Sequence, residues 1–437
     1  MGFWAGVGRV DITPPLGALV AGHFGERRAK EVLDPLYARA LVLHDGRQSV
    51  ALVSCDLIGL EADTISKARI WVERLCSKVK GESTLICSTH THTGPFTIHI
   101  FGGERDEEYL AWLPRAIAGA VLEAEGNLRP VTVRAARGRE EGISFNRRYV
   151  MRDGSERTNP GWLNPDIVEP AGPVDHDVLV LRLDDAEAGR PLAMIVNHGL
   201  HVDVVGGELI SADWPGEVER AIRAIYGEPD LSVLVLNGCF GNINHINVNS
   251  REQMERYKAG RRVEEMERIG RAIAGAAVSA IELSEPLREP VMAFAKEIVE
   301  ARIREIPREE VERARRVLES GEDNLRERTY AKEVLLLSLV SGAVEALEVS
   351  ALRVGEVAMV FLPGEVFCEF GLEIKEGSPF PLTFVVANSG GYVGYIPTER
   401  AFLKGGYEPK TARSSRLKPD TGPKLVATAL KLLRKLK

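Results

Sequence analysis

Thr84-Leu85-Ile86-Cys87-Ser88-Thr89-His90-Thr91-His92-Thr93-Gly94-Pro95 opens on an apolar, β-branched run and ends in a chain break. Thr84–Cys87 predicts a short buried strand, and Gly94-Pro95 stops it. Two imidazoles therefore sit where a strand becomes a loop, a usual place for chemistry on a rigid scaffold. In an extended segment residues i and i+2 point to the same side. His90 and His92 then face one way, about 7 Å apart at ~3.3 Å rise per residue. One can ligate a metal while the other orients a substrate. The plainer reading is two polar residues at a solvated strand end.

Similar apolar runs recur at 38–43, 49–54, 131–135, 178–183, 193–196, 233–236, 357–361 and 383–387. Helical spacing of apolar residues marks 62–78, 107–125 and 217–225. Strands interleaved with helices predict an α/β fold with mixed β-sheets flanked by helices. Two longer charged stretches, 251–283 and 307–337, keep a helical period with a Glu/Arg-rich outer face. Ser320-Gly321-Glu322-Asp323 is expected to divide the second, and 422–436 to form a last amphipathic helix. No repeat or linker interrupts the chain, so 1–437 is expected to be a single domain.

Composition narrows the class. The 437 residues are 44% hydrophobic and 27% charged, an ordinary globular balance with ample material for a core. A net charge of -7 argues against a nucleic-acid partner, which calls for a basic face. No apolar run is long enough to span a membrane. The five cysteines are odd in number, and several sit inside apolar runs, as reduced core residues do. Gly8-Arg9-Val10-Asp11-Ile12-Thr13-Pro14-Pro15 is already folded-looking sequence rather than a leader, so a cytoplasmic location is expected. Gln occurs only at Gln48 and Gln253 beside heavy Glu and Arg use, a composition that fits a thermophile. The sequence carries no signal for oligomeric state.

Further strand ends carry chemistry. Asn197-His198-Gly199-Leu200-His201 holds a second histidine pair. Imidazole suits zinc, and a catalytic zinc site needs about three protein ligands and an open position. Pro363-Gly364-Glu365 follows the run at 357–361 and offers a carboxylate, which as a plainer role complements the N-terminus of a helix over 366–375. Tyr392 and Tyr395 follow the run at 383–387; a tyrosine there can ligate a metal or donate to a developing oxyanion, or simply be a half-buried loop aromatic. Asn237-Gly238-Cys239-Phe240-Gly241-Asn242 is a turn that can approach a ligand closely, but it lacks the lysine of a phosphate-binding loop.

Taken in order, these segments resemble the catalytic domain of the neutral (non-lysosomal) ceramidases. The resemblance runs through Gly8–Thr13, the His90–Pro95 loop, Asn146-Arg147, Ile210-Ser211-Ala212-Asp213, Pro363-Gly364-Glu365 and the Tyr392/Tyr395 loop. It implies a zinc-dependent amidase acting on an N-acyl amide. It further implies His90, His201, Glu365 and Tyr395 as zinc ligands, with His198 the alternative within its pair. His92 and Arg147 match residues that contact substrate or the reacting oxygen, and Asp213 and Tyr392 are secondary candidates. Family members carry a serine at the turn where Gly238 and Cys239 stand, and they continue into an immunoglobulin-like domain that is not expected here. The expected substrate is therefore a small-molecule or lipid-like N-acyl compound rather than bilayer ceramide. The competing readings are a metal-dependent esterase and a non-catalytic metal-holding binding protein.

Overall fold

The computed structural model describes residues 2–101, 103–288 and 290–437. Eight strands form the larger sheet: β1 (Trp4–Asp11), β2 (Tyr37–His44), β3 (Ser49–Cys55), β4 (Thr84–Ser88), β5 (Arg129–Arg139), β6 (Asp177–Asp185), β7 (Pro191–His198) and β8 (Ser232–Asn237). Their order is β8-β7-β6-β5-β1-β2-β3-β4. The middle of the sheet is antiparallel, while both edge pairs, β3/β4 and β7/β8, are parallel. Parallel pairs need crossovers. Helix α1 (Ala62–Leu75) joins β3 to β4, α2 (Glu107–Gly126) packs beside it, and α3 (Trp214–Tyr226) joins β7 to β8.

After α4 (Arg251–Lys258) and α5 (Arg262–Glu282) comes the second sheet, β9 (Met292–Arg302), β10 (Val344–Val354), β11 (Val357–Phe361) and β12 (Leu382–Val386), adjacent in that order. Helices α6 (Arg308–Glu319) and α7 (Leu325–Ser338) lie between β9 and β10. β11 and β12 are parallel, joined through α8 (Cys368–Gly377). α9 (Glu399–Lys404) and α10 (Thr421–Leu436) close the chain.

Alternation along the strands sets the layers. Leu41 and Leu43 of β2, with Leu52, Leu234 and Leu236, meet Leu352, Met359, Phe361 and Phe384 of the second sheet. The opposite face of β2, Ala38, Ala40 and Val42, packs on α1 and α2, and that of β7 and β8 packs on α3 and α5. The outer face of the second sheet packs on α8 and α10. The result is helix, sheet, sheet, helix. Strands covered on both faces read as unbroken apolar runs, which is why their positions are plain in the sequence. Truncating a leucine of the inter-sheet core to alanine costs about 2–5 kcal/mol.

Two expectations are refined. The stretch 251–283 is two helices, because Gly260 takes φ +73° between them. β9 and β10 carry charges at Lys296, Glu300, Glu345 and Glu348, so their half-exposed length lacks the unbroken apolar signal. Among the described residues no helix is long and apolar enough to cross a membrane.

Candidate metal centre

The loops that carry the histidines, Gly238, Glu365 and the two tyrosines each leave the carboxyl end of a strand in one of the parallel pairs, the end at which open α/β sheets place their ligands, whereas Arg147 follows the antiparallel β5. Three short pairings then join the loops. Thr91 bridges to Val202 in parallel, Glu365 pairs with Tyr395, and Asn146 pairs with Ile243. The first sets the 90–92 segment against 201–203; the second sets the carboxylate beside the tyrosine; the third brings Arg147 to the turn after β8.

His90, His92 and His201 converge, with one ring nitrogen of each within 4.8 Å of the others. The convergence does not come from a regular strand: His90 takes a left-handed φ of +80°, so the extended geometry expected for the pair is replaced by a tighter one with ring centroids 4.9 Å apart. Backbone carbonyls orient all three rings. His90 Nδ1 donates to Ile58 O at 2.7 Å, His201 Nδ1 is shared between Phe240 O at 3.0 Å and Ile243 O at 3.1 Å, and His92 Nδ1 reaches Gly22 O at 3.2 Å. Protons held on Nδ1 leave each Nε2 with its lone pair facing the centre. Burial, reinforced at His92 by the His90 ring and at His201 by Arg147, lowers the pKa of both and keeps them neutral.

Glu365 supplies the anion. Its Oε2 lies 3.3 Å from His90 Nε2 and 3.3 Å from His201 Nε2 but makes no hydrogen bond among the described residues. Its Oε1 accepts from the Tyr392 hydroxyl at 2.8 Å, which fixes the carboxylate plane. Tyr395 brings its hydroxyl to 3.5 Å from His201 Nε2, its ring stacked on that imidazole. Burial and then the Glu365 charge push the Tyr395 phenol well above its usual range, and Arg147 opposes them.

Arg147 is buried at the rim. Its Nε donates to Glu408 Oε1 at 2.8 Å and its Nη2 to Gly241 O at 2.7 Å, which leaves Nη1 facing His201 Nε2 at 3.3 Å. Glu408 also accepts from Arg148 and Thr158. No local sequence signal marks Glu408, because its partners lie some 250–261 residues away.

Other candidates lie apart from the centre. His198 donates and accepts within the core, Nδ1 to Asp177 O at 2.9 Å and Nε2 to Ser144 Oγ at 2.6 Å, so both ring nitrogens are occupied. Asp213 caps α3 and accepts from Trp214 N and Val205 N, fixing the loop that follows His201; burial raises its pKa to about 7 despite those bonds. Gly238 abuts the backbone of Gly199, and Cys239 is buried against Gly371 of α8. The member of that turn that faces the imidazoles is Phe240, 4.7 Å from the His90 ring and 5.0 Å from that of His201. Asp203 also borders the centre beside His92, and His245 stands against Asp203. The His201-Val202-Asp203 spacing, repeating that of His90-Thr91-His92, was a usable signal for the first.

No protein-family model matches the chain, and no curated protein matches it. Solved structures do. A neutral ceramidase from Pseudomonas aeruginosa aligns with a TM-score of 0.75 and 17% identity, over 100% of this chain and 75% of its own. A ceramidase complexed with C2 aligns with a TM-score of 0.72 and 16% identity, over 100% of this chain and 76% of its own. The fold of this chain is that of the neutral ceramidases, a mixed α/β architecture with sheets flanked by helices.

Proposed function

We propose that this chain is a zinc-dependent hydrolase that cleaves the N-acyl amide bond of small-molecule or lipid-like N-acyl compounds rather than of bilayer ceramide. The observation that carries the reading is Glu365 Oε2, buried and without a hydrogen bond among the described residues, 3.3 Å from both His90 Nε2 and His201 Nε2. Nitrogen and oxygen ligands at ~2.0–2.1 Å from a tetrahedral zinc lie ~3.3 Å from one another. His90, His201, Glu365 and Tyr395 are the proposed ligands, and the donor set of imidazole, carboxylate and phenol suits that ion. Zinc held there would lower the pKa of bound water to ~7 and polarise an acyl carbonyl.

The protein's own groups divide the remaining work. His92 has Nε2 free of any hydrogen bond among the described residues. It is placed to accept a proton at that atom and pass it to the leaving nitrogen. Arg147 Nη1 would donate to the negative charge that develops on the acyl oxygen, joined by the Tyr395 hydroxyl once its own oxygen leaves the metal, and both side chains are held near His201 before substrate arrives. Phe240 packs its ring against those of His90 and His201. We read residues 1–437 as one domain, since a shared core joins both sheets. We place the protein in the cytoplasm, a reading supported by its five free cysteines.

The test is a matched series of N-acyl amides and O-acyl esters offered to the zinc-loaded protein. Amide turnover is expected. Ester turnover alone would favour the esterase reading, and bound zinc without turnover would favour a metal-holding binding protein.

A further inference from the structure

Beside the metal centre stands a second polar group that the proposed hydrolysis leaves unused. The parallel bridge between Thr91 and Val202 sets Asp203 next to His92, as it sets His201 next to His90. Asp203 Oδ1 lies 3.3 Å from His245 Nδ1, without hydrogen-bond geometry. His245 is 1% exposed, yet neither of its ring nitrogens has a hydrogen-bond partner among the described residues. Tyr257 stacks on His245 at 5.7 Å, and its buried hydroxyl is likewise unpartnered. Trp162 extends the aromatic surface, 5.5 Å from Tyr257.

This group lies on the more open side of the centre. His90 and His201 are fully enclosed, whereas His92 is partly open, and the exposed His23 lies 6.2 Å from it. Asp203 is partly exposed on the same side. Arg262 lies over the Tyr257 ring at 4.3 Å and donates to Val204 O, beside Asp203.

The chemistry of these groups narrows what they accept. An alkyl chain would bury the carboxylate, the imidazole and the phenol with no partner for any of them. A carboxylate would meet Asp203. A second ammonium group would meet Arg262, with Arg27 nearby, bonded to the carbonyl of His92. A neutral head group with several hydroxyls satisfies acceptor, imidazole and phenol together, and its ring face can lie on an aromatic surface.

We propose that Asp203, His245 and Tyr257 form a head-group subsite for a polyhydroxylated leaving amine, so that the preferred substrate is an N-acylated amino sugar. The assignment of the leaving amine rests on the hydrolase reading; the polar subsite itself does not.

The test compares N-acetylglucosamine with N-acetylcyclohexylamine, a ring of the same size without hydroxyls, and with N-acetylglycine and N-acetylputrescine. The sugar is expected to lead by at least about tenfold in kcat/KM, because a site built to bond hydroxyls rejects the analogue lacking them. Asp203→Asn should reduce the ratio of sugar to cyclohexyl turnover about tenfold, mainly through KM, and Tyr257→Phe about threefold. Preference for the cyclohexyl, acidic or cationic amide, or an unchanged ratio in both variants, would overturn the proposal. Calorimetric titration of the zinc-stripped protein with N-acetylglucosamine separates the two readings. Absence of turnover on every amide defeats the hydrolase reading alone. Sugar binding weakened about tenfold by Asp203→Asn supports the subsite, and equal binding, or none to the wild type, rejects it.

Discussion

His198 and His201 leave the same strand end, and their surroundings separate them. His198 spends both ring nitrogens on Ser144 and Asp177 inside the core. His201 spends Nδ1 on backbone carbonyls and keeps Nε2 for the centre. His201→Ala should therefore lose zinc and amide turnover while keeping its circular dichroism spectrum. His198→Ala should keep zinc but unfold about 1–3 kcal/mol more easily, the cost of stranding a buried polar partner. Metal analysis and denaturant titration of both variants check this; zinc lost from His198→Ala and retained by His201→Ala would reverse the assignment. Tyr392 belongs to the same scale. Its hydroxyl holds Glu365 in plane, so Tyr392→Phe should weaken zinc binding about 10–100-fold without unfolding, measured by competition with a chelator. In the sequence the histidine pair was visible, but only the family resemblance favoured His201 within it, because the groups that separate the two rings lie at Ser144, Asp177, Phe240 and Ile243.

At the scale of elements, the strand ends were legible and the turns between them were not. Apolar runs located β4, β7, β8, β11 and β12, and His90, His201 and Glu365 each follow one of them within four residues, while Tyr395 stands nine residues after β12. How each loop then points depends on long-range bridges that leave no local pattern. The turn after β8 shows the consequence. A Cβ on Gly238 would lie 2.9 Å from Gly199 Cα, so a serine there meets backbone instead of the metal centre. Gly238→Ser is accordingly expected to lower stability by about 1–3 kcal/mol, the usual cost of overpacking, with no gain of activity. Thermal unfolding and amide assays of the purified variant decide it; a stable variant with altered substrate preference would show that the turn faces the substrate after all.

The whole molecule is a pair of sheets clamped between helices, with the candidate metal centre buried in the loops at the strand ends beside Phe240 and Tyr395 of the core. A core that joins the sheets through Leu41, Leu52, Leu236, Met359 and Phe384 needs no metal to hold it. Chelation should abolish turnover yet leave secondary structure intact. A buried charge network ties the distant parts together: Glu408 bonds Arg147 and Arg148, residues on the other side of the chain's length. Burial raises the Glu408 pKa, but the two guanidinium groups outweigh it and hold it below its ordinary 4.5. A depressed carboxyl contributes stability above its unfolded pKa and loses it as pH falls through the folded value. Glu408→Gln should thus cost about 3–5 kcal/mol at neutral pH, and the gap to wild type should begin to narrow as the pH falls below 4.5 and go on narrowing through the lower folded value. Urea titrations at pH 7 and pH 4 test the sign. No sequence pattern announces such a network, since its members belong to separate loops and only the tertiary fold brings them together.

Zinc reconstitution tests the proposed hydrolysis at its source. Metal-stripped protein is titrated with zinc while hydrolysis of an N-acyl amide is followed. The account predicts turnover that rises with added zinc and levels off near one zinc per chain, and a His201→Ala variant that never responds. Stoichiometric zinc binding with no hydrolysis of any N-acyl amide, or full turnover in the stripped protein, would contradict it.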